Sequence, residues 1–434
     1  MKRNIALFFL SLLGLTAQPA QAVAKEAYAV VSPDGTTLTF YFDEKKSLRQ
    51  GTAYELKLGK DYPKWVRLSG LYSLPESPDF PTEIMTVIFD ESFKDARPVS
   101  CAYWFAGFNG LKKIEGIANL NTSKVTDMSF MFYRCYGLQG LELNGFDTSK
   151  VTNMGSMFEY CRSLESLDVS GFDTSNVTDM SEMFSFCSLS NIDLSRFDTS
   201  KVTNMTGMFD DCENLKSLDL SSFDTSNVTE MGSMFENCNQ LESLDLSRFN
   251  TSKVTDMVGM FSRCESMEKL DLSRFNTSQV TRMGRMFEDC ESLTSLDLSG
   301  FNTSNVEDMI WMFVGCENLK NLDISSFDTS NVMDMRWMFS NCEVLESLDL
   351  SGFDTSNVDG MIQMFSGCES LKTIYVGTGW NTNKVEESEE MFWGCTSLVG
   401  GKGTEFDSEI VDKTRARIDG GKANPGYFKL KLVN

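Results

Sequence analysis

The side chains that could do chemistry in this 434-residue chain recur at a nearly fixed interval. Of twelve cysteines, eleven follow one another every 25 to 27 residues, from Cys135 to Cys395. A zinc site needs closely spaced pairs and a disulfide framework has irregular spacings. The regular interval therefore predicts small, buried packing residues with free thiols, although neighbouring thiols could lie close enough to cross-link under oxidation.

The chain contains no histidine, which excludes Ser–His and Cys–His catalysis and any histidine-ligated metal. No phosphate-binding loop of the GxxxxGK[ST] type is present either, and no pair of carboxylates is marked out as catalytic. We therefore predict that the protein is not an enzyme and that it holds no metal or cofactor.

A series of aspartates forms the first candidate binding site. They alternate with apolar residues of a predicted strand and should form one line down a sheet face. This acidic file comprises Asp168, Asp193, Asp219, Asp245, Asp271, Asp297, Asp323 and Asp349. Carboxylates about 5 Å apart repel each other by about 1 kcal/mol in water. The aspartates are either ordinary polar residues of the repeat or a surface for a partner; calcium fits poorly because one carboxylate per repeat supplies too few oxygens.

The second candidate site lies where the repeats stop being alike. Trp311 and Trp337 replace the Gly, Ser or charged residue that most repeats carry before a Met-Phe pair. With Ile310 and Ile362 they form a tryptophan patch, which could be an exposed apolar interface. The alternative, that the rings pack down over the layer beneath them, is left open.

One repeat, residues 164–187, shows which elements must position these residues. Leu167 and Val169 alternate with polar residues, as in a half-buried strand, and a polar corner follows at 172–176. Apolar residues then recur at i, i+3, i+4 and i+7 from Met180 to Cys187, which predicts a short helix. The predicted fold class is an α/β solenoid of the leucine-rich-repeat type, with about eleven strand-turn-short-helix units and a parallel sheet on one face.

The phrase F-[DN]-T-S-x-V-T-[DN]-M-x-x-M-F-x-x-C, repeated over 111–395, resembles the BspA-like family of bacterial leucine-rich-repeat surface proteins. The flanks, at 28–42 and 416–428, are also similar to that family. The resemblance implies an extracellular binding protein. Many leucine-rich repeats use an asparagine ladder to satisfy the backbone of the turn. Here a phenylalanine column stands instead, and the neighbouring Asp/Asn-Thr-Ser residues are expected to take over that hydrogen bonding.

The ends of the chain differ from the middle. Residues 1–22 have the charged start, apolar run and Ala-Gln-Ala of a signal peptide. Residues 23–110 are predicted to form a β-rich cap with a degenerate first repeat, including a hairpin between Ala27–Val31 and Thr37–Phe42. The solenoid spans 111–395, and 396–434 form a C-terminal cap with a strand near Tyr427–Val433.

Charge and export narrow the function. The 39 basic and 62 acidic residues give a net charge of −23, so nucleic acid is not expected as a partner. No segment beyond the leader is long and apolar enough to cross a membrane. We predict an exported protein, at the cell surface, in the periplasm or outside the cell, that binds a protein or cell-surface partner or mediates adhesion. The alternatives are a structural component of the cell envelope and, third, a secreted glycan-acting enzyme.

Overall fold

The computed structural model describes residues 24–63, 65 and 83–431. The predicted signal peptide lies outside these residues. Two antiparallel strands, β1 (Glu26–Val31) and β2 (Thr37–Asp43), form the predicted hairpin, and β3 (Thr52–Glu55) pairs with the other edge of β1. β4 (Thr86–Phe89) and β5 (Lys113–Glu115) join the sheet in parallel, giving the order β3-β1-β2-β4-β5. The sheet thus changes from hairpin pairing to the parallel pairing of stacked repeats.

Five further strands belong to the C-terminal half. β6 (Ser295–Asp297) pairs with β7 (Asn321–Asp323), and β8 (Ser347–Leu350) pairs with β9 (Thr373–Val376). β10 (Phe428–Leu430) covers the other edge of β9, and all three pairings are parallel. Short 3-10 helices occur at Lys46–Leu48, Glu91–Asp95, Ile117–Asn119, Lys413–Arg415 and Gly421–Ala423.

A parallel backbone ladder runs through the whole stack. One residue of each repeat bridges to the equivalent residue of the next, in an unbroken series from Ser100 to Glu387. The residue concerned is the Asp or Asn of the V-T-[DN]-M phrase in most repeats. Backbone pairing between repeats is therefore continuous here, and the repeats are stacked in register as the regular spacing predicts.

The predicted short helix is wrong: the described residues contain no α-helix. The M-x-x-M-F-x-x-C phrase instead forms a chain of tight turns, called here the turn segment. In the segment from Met154 to Cys161, Met157 and Cys161 donate their N–H groups to the residue three positions earlier. Ser156 and Phe158 donate theirs to the next repeat, and Ser156 and Tyr160 have positive φ. Left-handed residues twice per segment prevent an α-helix, while the same four apolar side chains still point inward.

The predicted continuous sheet of eleven strands is also only partly formed. Among the described residues, no strand lies between Glu115 and Ser295. The alternation of side chains survives there, because Leu167 and Val169 are buried while Asp168 is exposed. Hydrogen bonds between repeats are instead concentrated in the turn segments, which carry several bonds to the next repeat each. The pattern therefore predicted the burial correctly but not the pairing.

The core is a set of stacked columns. Phenylalanine rings from Phe105 to Phe392 stack repeat on repeat with centroids 5.3–6.0 Å apart. All twelve cysteines are buried and free, as predicted. Eleven of the thiols donate to a phenylalanine carbonyl oxygen of the preceding repeat, at 3.0–3.3 Å. The cysteine column therefore joins neighbouring repeats by weak hydrogen bonds as well as by packing.

Buried threonines at the polar corner connect successive repeats. The Thr199 hydroxyl, for example, donates to the Asp224 carbonyl oxygen at 2.9 Å and accepts from the Asp224 N–H at 2.8 Å. The same pair of bonds recurs at the other corner threonines, which are Thr148, Thr174, Thr225, Thr251, Thr277, Thr303, Thr329 and Thr355. These hydroxyls satisfy the turn backbone, as expected of the Asp/Asn-Thr-Ser phrase.

Candidate functional site

The acidic file lies on the surface, and each of its carboxylates already has a local role. The Asp219 carboxylate accepts the N–H of Ser221, two residues later, at 2.9 Å. The equivalent bond, 2.9–3.0 Å long, is made by the other seven members, Asp168, Asp193, Asp245, Asp271, Asp297, Asp323 and Asp349. A side chain that closes its own turn in this way is explained by the repeat alone.

Electrostatics agree with that local role. Hydrogen bonds from Ser221 hold the pKa of Asp219 below its usual value, against a weaker opposing effect of burial and of the neighbouring carboxylates Asp193 and Asp245. At the C-terminal end the Asp349 carboxylate also pairs with Lys431. Repulsion along the file is therefore offset by local hydrogen bonds, and the second oxygen of most of these carboxylates remains at the surface.

The tryptophan patch lies on the turn segments and is half-buried. The two indole rings meet edge to face, with centroids 5.6 Å apart. Arg285 lies over the ring of Trp311 at 5.2 Å and Arg336 over that of Trp337 at 5.9 Å. The Trp337 N–H donates to the Gln363 side chain at 2.7 Å, whereas the Trp311 N–H is buried with no acceptor among the described residues.

Packing between the rings thus accounts for much of the patch. Ile310 and Ile362 are half-buried beside it. Both tryptophans have positive φ, of 60° at Trp311 and 56° at Trp337. A bulky residue in this conformation is strained. Other repeats carry glycine at the same position, where this strain does not arise.

Two exposed apolar residues were missed by the sequence reasoning. Trp393 is 59% exposed in the last repeat, and Met333 is 55% exposed on a different face. Trp393 follows the Met-Phe pair instead of preceding it, so a comparison confined to the preceding position passed over it. Met333 occupies a place that is threonine in seven earlier repeats and glutamate in the repeat just before it, and that break in the column could have revealed it.

Met333 lies in a surface cleft of about 690 Å³ formed by the C-terminal repeats. This C-terminal cleft is lined by acidic Glu307, Asp359 and Glu386, basic Lys384, and the neutral residues Asn331, Met333, Asn357, Asn383 and Val385. In this cleft, exposed carboxylates lie around an exposed apolar side chain. The sequence reasoning did not assign any role to these residues.

A third acidic group is partly or fully buried on the turn segments. Burial raises the pKa of Asp210 to about 8, with a further contribution from Asp211 and Glu236, and one of its carboxylate oxygens is buried without a hydrogen bond. Burial and the nearby Glu182 likewise raise the pKa of Glu159. The described residues contain no group of three or more acidic or cysteine side chains arranged to hold a metal.

Within the described part of the chain, no helix has the length and apolar character needed to cross a membrane.

These features define a class: a leucine-rich-repeat-like solenoid whose variable surface residues lie on a regular stacked core. The chain belongs to the family described as "Mycoplasma protein of unknown function, DUF285", whose model matches residues 99–221, 211–318 and 293–401. Among curated proteins, no sequence matches this chain.

Several solved structures are similar to this chain. A leucine-rich repeat protein from Eubacterium ventriosum is 18% identical, with 89% of this chain and 96% of that chain covered and a TM-score of 0.43. A leucine-rich cell surface protein from Faecalibacterium prausnitzii is 18% identical, with 86% and 92% covered and a TM-score of 0.36. The pneumococcal vaccine antigen PcpA is 13% identical, with 94% and 97% covered and a TM-score of 0.27. All three TM-scores lie below 0.5, and the evidence for a solenoid is the hydrogen bonding and packing within this chain.

Proposed function

We propose that this protein is exported and acts as a surface-associated or secreted binding protein that attaches to a protein on a host cell or another cell. The observation that carries the proposal is the division of the molecule into an invariant core and surface positions that differ between repeats. Solenoids of this kind create extended surfaces on which such positions can recognise a partner. The leader-like sequence at 1–22 and the BspA-like phrase at 111–395 support export and adhesion.

The test is binding of the full-length labelled protein to host cells, matrix proteins and the producing cell's own envelope. Saturable binding to a host surface, lost after protease treatment of that surface, is the expected result. Recovery of partners from the producer's envelope alone would instead favour the structural role in the envelope. Absence of saturable binding to every surface would reject the proposal.

Variants of the two sequence-predicted sites show which face is used. Replacing Asp219, Asp245, Asp271 and Asp297 together by Asn removes four charges from the acidic file, and replacing Trp311 and Trp337 by Ser removes the indoles. A partner that uses either face should bind at least about tenfold more weakly to the corresponding variant. Unchanged affinity would exclude that face.

A further inference from the structure

A column of threonines, each half-buried or exposed, is replaced by other residue types in the C-terminal repeats. In seven successive repeats the threonine of the V-T-[DN]-M phrase donates its hydroxyl to a backbone carbonyl oxygen of the preceding repeat. These rim threonines are Thr126, Thr152, Thr178, Thr203, Thr229, Thr255 and Thr281. The next four repeats carry Glu307, Met333, Asp359 and Glu386 at this position.

The backbone bond to the preceding repeat is kept at three of the four positions, Glu307, Asp359 and Glu386. Glu307 still donates its N–H to the Thr281 carbonyl at 2.9 Å, and Asp359 donates to the Met333 carbonyl at 2.9 Å. At these three positions only the side-chain bond to the preceding repeat is lost. Among the described residues the new side chains make no hydrogen bond to the preceding repeat, and all four are exposed at the surface.

These four side chains line the C-terminal cleft, with Met333 among three carboxylates. The Met333 side chain is 55% exposed beside these charged groups, and methionine is enriched at protein interfaces. Lys384 is the one basic residue that lines the cleft, and its ammonium is engaged by the Asn357 side chain at 2.8 Å. The lining therefore presents an exposed methionine, three carboxylates and one ammonium, with neutral amides between them.

The carboxylates of the cleft differ from those of the acidic file in what they bind. Each aspartate of the file accepts the N–H of the serine two residues later. Among the described residues, by contrast, Glu307, Asp359 and Glu386 make no side-chain hydrogen bond and no ion pair. The nearby guanidinium of Arg336 pairs with Asp334 and Glu387 instead. The cleft thus presents three carboxylates that remain available to a cation from outside.

We propose that the C-terminal cleft is a docking site for a basic, extended polypeptide segment of a partner protein. An arginine or lysine of the partner lays its aliphatic stem against Met333 and places its charged end among Glu307, Asp359 and Glu386. Charge complementarity favours a basic occupant, because the cleft presents three carboxylates. The aliphatic stem of the partner's arginine or lysine needs an apolar contact, which Met333 provides between those carboxylates. The inference rests on the proposed binding function and names the site and the chemistry of the partner.

The experiment measures binding of a fluorescent arginine-glycine-serine repeat peptide to the full-length protein by anisotropy. The matching glutamate-glycine-serine peptide is the negative control. The test variant combines Glu307→Thr, Asp359→Thr and Glu386→Thr, which restores the residue of the other seven repeats and so should preserve the fold. We expect it to bind the arginine peptide about tenfold more weakly, as for the loss of three exposed charge pairs.

A second variant separates the cleft from general attraction to an acidic protein. Asp147→Asn, Asp173→Asn and Asp198→Asn remove the same charge from the polar corners of three N-terminal repeats, where other repeats carry asparagine, and should leave affinity within about twofold of the native protein. Met333→Thr, which changes no charge, should weaken binding several-fold. The proposal would be overturned if the two triple variants lost equal affinity, or if the cleft variant lost none. It would also be overturned if Met333→Thr bound the arginine peptide as the native protein does and spermidine displaced that peptide completely.

The two proposals fail in different ways. If the native protein attaches to cells but does not bind the arginine peptide, the cleft assignment is wrong and the binding function stands. If it binds the peptide through the cleft but attaches to no cell or matrix protein, the adhesive function is wrong and the cleft stands as a peptide site.

Discussion

Two threonines in one repeat have hydroxyls with very different surroundings. Thr199 is fully buried and holds both the N–H and the carbonyl of Asp224, whereas Thr203 is exposed and makes one bond to the Thr178 carbonyl at 3.2 Å. Removing a buried partner leaves the remaining groups unsatisfied, while water replaces an exposed one.

Thr199→Val should therefore lower the free energy of unfolding by about 2–4 kcal/mol, and Thr203→Val by less than about 0.5 kcal/mol. Urea denaturation of the two variants beside the native protein measures the difference. Equal midpoints would show that the corner hydroxyl does not support the stacking of repeats.

Asp210 gives a prediction about pH. Its pKa is about 8 in the folded protein and 3.8 in an ordinary setting, because burial disfavours the charged form. The folded state therefore binds this proton more tightly than the unfolded state. Its contribution to stability is present below about pH 4, falls as the pH rises, and has gone above about pH 8.

Asp210→Asn removes the titration, so its stability relative to the native protein should rise by on the order of 2 kcal/mol between pH 5 and 8, with allowance for partial exposure. Asp219→Asn is the matched control: its pKa is lowered, so the corresponding difference should stay flat over that range. Urea midpoints across the pH range provide the measurement, and a flat curve for Asp210→Asn would contradict the assigned burial.

At the scale of the element, the turn segment has one position with positive φ in each M-x-x-M phrase. That position is never β-branched: it holds Ser233 in one repeat, Gly259 in the next and Trp311 further on. The position just before it does hold β-branched residues, such as Thr206 and Val258. Branching at the β-carbon is disfavoured in the left-handed region.

Ser233→Val should therefore destabilise the protein by about 1–2 kcal/mol, whereas Thr206→Val places the same half-exposed side chain at the ordinary position and should cost less than about 1 kcal/mol. Thermal unfolding followed by circular dichroism compares them. Similar melting temperatures for the two variants would argue for an α-helix in place of the turn segment.

At the scale of the whole molecule, the stacked columns seal the cysteines from solvent. All twelve thiols are buried, and burial raises the pKa of Cys212, Cys264 and Cys316 to about 12. Thiolate is the reactive form of cysteine, so neither access nor ionisation favours reaction in the folded state.

A colorimetric thiol reagent at pH 8 should consequently label almost none of the cysteines in the native protein and all twelve in urea. Mass spectrometry of the unlabelled chain should show no disulfides. Rapid labelling of several native thiols would mean that the repeats separate readily, and a loss of titratable thiols in urea would reveal cross-links between neighbouring repeats.

The candidate sites, like the fold, could be predicted from the sequence only in part. The sequence located both the acidic file and the tryptophan patch, because each is a column or a break in a column. It could not show that the Asp219 carboxylate is occupied by its own turn while that of Asp359 is not, since that difference lies in a backbone N–H and not in the type of residue. Met333 and Trp393 were missed for want of a comparison at every column of the repeat.

The sequence by itself determined that this chain is a stack of repeats and which residues point inward, the cysteines among them, because a repeated apolar pattern must be buried in the same way in every unit. Only the tertiary structure decided how the backbone carries that pattern. A helix and a chain of tight turns place Met180, Met183, Phe184 and Cys187 on the same side, so periodicity cannot separate them. Left-handed residues at Glu182 and Phe186 and hydrogen bonds to the neighbouring repeat favour the turns, and these exist only once the repeats are stacked.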